Sequence, residues 1–282
     1  MRQILFEMGG IKIHGFGLML ALALWCSVGL AGWRAKREGL NPEHVDLLAI
    51  WVLVVGLLGA RIFFVVEYWR SFHHWWEIFQ IWKGGIVFYG SVLGGAVGFI
   101  LFRRLHPFPL RPMLDVIAPA LALGIALGRV GCFLNGCCYG DLCNLPWAMS
   151  FPRDSSPWAD QLKEGLIHVG DPRSLPIHPT QLYSALDGLI LMLLLSAYYP
   201  LRKRDGEVMA LLMVTYPVTR FLIEGLRNDE AGIVFGMTIS QAISVVVFLA
   251  GIVYWLYLLR LPTGRYADTK QPEPELAQAL AS

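Results

Sequence analysis

The stretch Leu127-Gly128-Arg129-Val130-Gly131-Cys132-Phe133-Leu134-Asn135-Gly136-Cys137-Cys138-Tyr139-Gly140 closes a long apolar run that starts near Leu114. A run of that length reads as a membrane helix. Arg129 then lies inside the helix, about five residues, or roughly 7 Å, from where the run ends. An ionisable side chain at that depth is costly unless a partner or a ligand meets it. Glycine and cysteine crowd the exit of the same helix.

Working outward, the composition agrees with a membrane setting. Of 282 residues, 56% are hydrophobic and only 16% are charged, with mean hydropathy +0.53. A soluble domain of this length carries more charge and fewer long apolar runs. A net charge of +2 without a basic tract argues against a nucleic-acid partner. About seven runs are long enough to cross a hydrocarbon core, at roughly 15–33, 46–66, 85–102, 114–134, 182–200, 207–225 and 237–259. The first is too long for a signal-peptide core and no small-residue cleavage pattern follows, so it reads as a retained span. The expected fold is all-α and polytopic.

Positive charges set the expected direction. Arg34, Lys36 and Arg37 follow the first span; Arg103, Arg104 and Arg111 separate the third and fourth; Arg202, Lys203 and Arg204 separate the fifth and sixth; Arg260 and Arg265 follow the last. With alternating spans all four clusters share one side, which reads as cytoplasmic, with the N-terminus outside and the C-terminus inside. Residues 1–260 then form one seven-span domain, and residues 135–180 form an outer, periplasmic cap or arm. Residues 261–282 form a polar cytoplasmic tail expected to be disordered. Between Glu67 and Lys83, Tyr68, Trp69, Phe72, Trp75, Trp76, Phe79 and Trp82 recur at helical spacing. They predict a helix lying in the outer interface, as an aromatic belt or a substrate guide.

Placed on this topology, the awkward polar residues sort to one side. His14, Arg61, Tyr89, Arg129, His178, Gln181, Tyr183, Arg220, Glu224 and Arg227 all map to outer span ends. Small residues around them, such as Gly94, Gly98, Gly124, Gly128 and Gly131, permit close helix packing. One polar cavity open to the outer leaflet accounts for the pattern. Arg220, Glu224 and Arg227 stand at i, i+4 and i+7, on one helix face. Glu224 can orient Arg220, or the group can be an ion pair that stitches helices. Arg129 and Arg61 add positive field, and guanidinium matches phosphate oxygens in bidentate fashion. A phospholipid head group is the expected anion, although Arg61 alone also reads as a snorkelling anchor.

These residues resemble the prolipoprotein diacylglyceryl transferase family. Gly128-Arg129-Val130-Gly131-x-Phe133-Leu134-Asn135-Gly136 is similar to its signature, and Asp115-Val116-Ile117-Ala118-Pro119 leads into the span as it does there. His178-Pro179-Thr180-Gln181-Leu182-Tyr183, Arg220-Phe221-Leu222-Ile223-Glu224-x-x-Arg227, Ile13-His14-Gly15-Phe16-Gly17-Leu18-Met19 and Ser240-Gln241 resemble further family segments. The likeness runs over roughly residues 10–260 and implies seven spans with the N-terminus outside. It implies transfer of the diacylglyceryl group of phosphatidylglycerol to the lipobox cysteine of preprolipoproteins in the bacterial inner membrane, with glycerol phosphate leaving. No cofactor, metal or nucleotide is implied. Carried onto this chain, the resemblance assigns catalysis to Arg129, Arg220, Glu224, Tyr89 and His14. It assigns phosphatidylglycerol binding to Arg129, Asn135, Arg61, Arg227, His178, Gln181 and Gln241.

The chain departs from the family where proton transfer is concerned. Tyr89-Gly90-Ser91 stands where His-Gly-Gly is usual, Ser184 replaces a glutamate, and Phe16 replaces a tyrosine. Cys132 and Cys137 replace a polar pair in the signature. With a reference pKa of about 10, tyrosine is a poor base at neutral pH. That leaves His14, His178 or the arginine field to assist the acceptor thiol, and His178 before proline also reads as a loop-packing residue. Cys26 reads as a small core residue. Cys132, Cys137, Cys138 and Cys143 are disulfide candidates in an oxidising compartment, with three possible connectivities. A zinc site is a second reading, although CxxC knuckles are missing, and a redox pair is a third. The competing functions are a same-fold relative with an altered acceptor, a membrane thiol oxidoreductase, and an anion transporter. No repeated half supports the transporter.

Overall fold

The computed structural model describes residues 4–8, 11–72, 74–80, 84–85, 87–227 and 236–270. Its main elements are β1 (Ile4–Met8), β2 (Ile11–His14), α1 (Gly15–Arg37), α2 (Pro42–Glu67), α3 (Phe88–Leu105), α4 (Leu110–Asn135), α5 (Ser156–Lys163), α6 (Thr180–Tyr198), α7 (Glu207–Glu224) and α8 (Ile239–Leu259). Helix dominates. A short antiparallel hairpin of β1 and β2 precedes the first long helix of this otherwise all-α chain. The alternating Ile11-Lys12-Ile13-His14 after Gly9-Gly10 is the sequence signal for that hairpin.

Five helices among the described residues are long and apolar enough to cross a membrane: Gly15–Arg37, Glu43–Glu67, Leu110–Asn135, Thr180–Leu201 and Ile239–Leu259. Their apolar side chains stay largely exposed, with Trp25 at 75%, Leu193 at 62% and Val253 at 67%. Such continuous apolar faces suit hydrocarbon and would aggregate in water. The remaining two of the seven expected runs are α3 and α7, each 18 residues long. Three charged residues in α7, Glu207, Arg220 and Glu224, keep its hydropathy down.

The chain divides into two compact units. One holds Ala31–Met113, and the other holds Met1–Leu30 together with Leu114–Ser282. The first unit is built on α2 against α3. A β-carbon on Gly94 would lie 2.5 Å from the Val55 carbonyl oxygen, and one on Gly90 would lie 2.5 Å from that of Gly59. The two backbones touch along a glycine seam, where hydrocarbon offers no other strong drive to associate. Gly94→Leu is expected to lower the thermal midpoint in detergent by forcing the helices apart, at a cost of about 1–3 kcal/mol or more.

The interfacial segment after α2 is not the single helix expected. It forms two short 3₁₀ turns, Trp69–Ser71 and Trp75–Phe79, while Trp82 and Lys83 fall outside the described residues. The buried Arg61 explains the break. Its guanidinium donates to the carbonyls of Glu77 and Ile78 at 2.7 Å and of Gly84 and Gly85 at 2.8 Å. Those carbonyls turn inward onto a cation, and Gly84 and Gly85 supply the positive φ (89° and 79°) that the wrap requires.

In the second unit close approaches join successive helices. Gly124 of α4 lies against Ser27 of α1, and Gly188 of α6 against Ala122 and Ala126 of α4. Gly251 of α8 lies against Met213 of α7, and Thr219 of α7 donates to Asp187 of α6 at 2.9 Å. At one end the carboxylate of Asp115, fully buried, accepts from the backbone N–H groups of Gly206 (2.7 Å), Val208 (2.9 Å) and Met209 (3.0 Å). Arg202 lies 3.3 Å from the same carboxylate. Tyr266 N–H donates to Asp205 and Gly264 N–H to the Lys203 carbonyl, so residues 262–270 dock beside the α6–α7 turn. The rest of the tail lies outside the described residues.

Residues 136–179 fold as an arm between α4 and α6. Isolated bridges pair Leu142 and Met149 with Ile177, and Pro152 with Arg173. Tyr139 donates to Asp160 of α5 at 2.7 Å. That bond, with Lys163 beside it, holds the Asp160 carboxyl below its ordinary range.

Candidate active site

The chain emerging from α4 determines the site. Gly136 takes positive φ (79°) and turns the backbone off the helix, and the segment that follows runs between the entrance of α6 and the exit of α7. Gly140 N–H donates to the His178 carbonyl and His178 N–H to the Asp141 carbonyl, both at 2.9 Å. Asp141 N–H donates to the carbonyl of Leu226, just past the end of α7, at 2.9 Å. A β-carbon at Gly140 would come within 2.6 Å of His178 and 2.7 Å of the Leu226 oxygen, so only glycine fits this pinch. The exits of α4 and α7 and the entrance of α6 therefore meet at one level.

Arg129 and Arg220 each lie within two turns of this junction. Among the described residues the half-buried Arg129 makes no hydrogen bond or ion pair. Arg220 pairs with Glu224 and donates to Ser240 Oγ at 3.2 Å. Glu224 is 1% exposed and also faces Arg227 at 3.4 Å and Thr238 Oγ1 at 3.4 Å. One carboxylate thus serves two arginines, and a third arginine stands unpaired in the same unit. Arg220 and Glu224 share a face of α7 as expected, whereas α7 ends at Glu224 and Arg227 reaches the same carboxylate from the turn beyond it. Thr238, which sequence reasoning passed over, completes the set.

The other candidates separate. Gln181, fully buried, donates to the Cys137 carbonyl at 2.8 Å, and the neighbouring Thr180 donates to the Cys138 carbonyl at 2.8 Å. His178 Nδ1 lies 3.3 Å from Tyr183 Oη, which accepts from Trp147 at 2.7 Å. Asn135 is the last residue of α4, and its side chain bonds the Cys137 thiol. His14 is exposed at the β2–α1 junction, and Phe16, two residues on, packs on Gly131 of α4. Tyr89 opens α3 in the other unit.

Two further candidates already have protein partners. The Arg61 guanidinium donates to four backbone carbonyls and organises its own loop. Gln241 belongs to a capping box: its side chain accepts from Thr238 N–H at 3.0 Å, and Thr238 Oγ1 accepts from Gln241 N–H at 3.2 Å. The Thr-x-x-Gln spacing is a known helix-start signal, so this role was legible in the sequence. The four loop cysteines are free thiols. The sulfurs of Cys132, Cys137 and Cys138 lie within 4.8 Å of one another, whereas Cys143 stays outside that group and accepts from Leu145 N–H.

The family model described as prolipoprotein diacylglyceryl transferase matches residues 3–257. A relative from Clostridium tetani, named phosphatidylglycerol–prolipoprotein diacylglyceryl transferase, is 34% identical over 89% of this chain and 96% of its own length. Relatives of the same name from Synechocystis and Legionella pneumophila are each 32% identical, over 95% and 89% of this chain and 93% and 95% of their own lengths.

Proposed function

The chain belongs to the prolipoprotein diacylglyceryl transferase family, and on that premise we propose that it moves the diacylglyceryl group of phosphatidylglycerol to the thiol of a lipobox cysteine. Glycerol phosphate leaves. The observation that carries this reading is the charge imbalance at the junction: Arg129 unpaired, and Arg220 and Arg227 sharing Glu224. A buried field of that sign favours an anion with several oxygens, and the surrounding apolar faces favour an anion attached to a lipid.

In the reaction a thiolate sulfur attacks the sn-3 carbon and the C–O bond to phosphate breaks. Negative charge grows on the departing phosphate. Arg129 and Arg220 hold its oxygens and stabilise that charge more in the transition state than before it. Glu224 aims Arg220 and Arg227. Gln181 and Thr180 hold the backbone of the cysteine turn beside the head group, His178 lies next to that turn, and His14 is the remaining group of this unit able to handle a proton. In the membrane, α3 and α7 complete seven crossings with the N-terminus outside, and residues 136–179 form a periplasmic arm over the site. The setting is the bacterial inner membrane.

The test is transfer in detergent from phosphatidylglycerol to a lipobox peptide, read as a peptide mass gain of one diacylglyceryl group. Complementation of a strain lacking the activity is the cellular form of the same test. No mass gain from a folded protein would overturn the reading. Glu224→Gln keeps the shape and removes the charge that aims two arginines. It is expected to lower transfer about 10- to 100-fold and to lower the thermal midpoint as two arginines lose their counter-charge, so transfer is read well below the variant's midpoint.

A further inference from the structure

The cysteine cluster at the exit of α4 is more constrained than loop thiols need to be. Cys132 lies on the last turn of α4, one turn beyond Arg129, and Cys137 and Cys138 return to it through the turn at Gly136. The Cys137 backbone N–H donates to the Cys132 carbonyl at 3.2 Å. Side chains of the fully buried Gln181 and of Thr180, 1% exposed, each hold one cysteine carbonyl at 2.8 Å. Cys138 sits at φ +59°, a left-handed conformation that costs a non-glycine residue on the order of 1 kcal/mol. The outcome is three sulfurs converging within 4.8 Å.

We propose that Cys132, Cys137 and Cys138 bind one zinc ion through three thiolates, and that the open fourth position takes the acceptor cysteine thiol and holds it as a thiolate for alkylation. The second clause rests on the transferase reading above. A Zn–S bond of about 2.3 Å puts the sulfurs of a tetrahedral site about 3.8 Å apart, within reach of the observed cluster. Two-electron oxidation could pair only two of the three thiols, whereas a metal engages all three.

The chemistry balances without an oxidant. On binding zinc the acceptor thiol gives its proton to water. A sulfur lone pair then forms the new bond to the sn-3 carbon, and the electron pair of the breaking C–O bond leaves on the phosphate held by Arg129. The thioether product carries no charge, is a weaker ligand and departs. At neutral pH a free thiol of pKa about 8.5 is only about 3% ionised, so holding it ionised is worth up to about 30-fold in reactive species.

The experiment uses the full-length protein in detergent. After reduction and reconstitution with zinc, elemental analysis is expected to find one zinc per chain. Cys132→Ser, Cys137→Ser and Cys138→Ser should each lose it, and Cys143→Ser should keep it. Bound zinc should also protect three thiols of the wild-type protein from alkylation, a readout that needs no variant. Stripping the metal with a chelator should lower peptide transfer about 10- to 30-fold at pH 7 and make the rate rise with pH, and zinc should restore it. A protein that takes up no zinc, or whose cluster is isolated as a disulfide, overturns the site. Zinc that can be removed without slowing transfer overturns the activating role. Zinc bound with no transfer in any form overturns the transferase reading and leaves the metal site standing.

Discussion

Arg129→Ala is expected to abolish lipid transfer, by about 100-fold or more, in a protein that still inserts and folds. The reason is the state of the side chain. A half-buried guanidinium in α4 with no bond among the described residues contributes little to the fold that alanine would remove, and its absence relieves an unpaired charge. Its proposed work lies in the transition state, where phosphate gathers negative charge in a site shielded from water. Removing one such donor costs about 2.7–4 kcal/mol elsewhere, which corresponds to about 10²–10³ in rate. Arg129→Lys keeps the charge and loses the planar fork, so it should recover only part of the rate. The measurement is peptide transfer alongside the thermal midpoint of each purified variant. A full-rate Arg129→Ala enzyme would remove the phosphate assignment. An unfolded one would show that the arginine is structural.

The second large effect is expected at the other end of the same helix. Asp115→Ala should destabilise the protein by about 3–5 kcal/mol, the range seen when one partner of a buried ion pair is deleted. Helix α7 has no side-chain cap of its own. Asp115 supplies one from α4, bonding three backbone N–H groups across 91 to 94 residues of sequence, and it also faces Arg202, which is 3% exposed. Alanine leaves those donors unmet and Arg202 buried beside one fewer carboxylate. Asp115→Asn should fall between the two, because it keeps an acceptor and loses the charge. Combining Asp115→Asn with Arg202→Met should recover part of the loss, since the uncompensated cation goes too. Thermal melts in one detergent check the series. Equal stability of Asp115→Ala and the parent would rule out this cap.

The two predictions separate the kinds of residue that a sequence presents alike. Arg129 and Arg61 both read as arginines near the outer end of an apolar run. Local pattern could not tell them apart, because the difference lies in carbonyls from residues 77–85 that close around one and not the other. Gln241 and Gln181 divide in the same way. Gln241 serves the cap of its own helix, which a three-residue spacing already announced. Gln181 reaches back 44 residues to a cysteine carbonyl, which no spacing announces.

What the sequence determined by itself is whatever depends on neighbours along the chain. The apolar runs become helices in lipid because every backbone polar group must be satisfied inside its own segment. Arg220 and Glu224 share a face because the helix repeats every 3.6 residues. Tertiary structure alone decided which charge remains unpaired, which aspartate caps a distant helix, and that three of the four loop cysteines converge while Cys143 stands apart. Each of those outcomes depends on side chains brought together by packing between helices. Their partners lie up to 94 residues away, beyond the reach of any periodic signal.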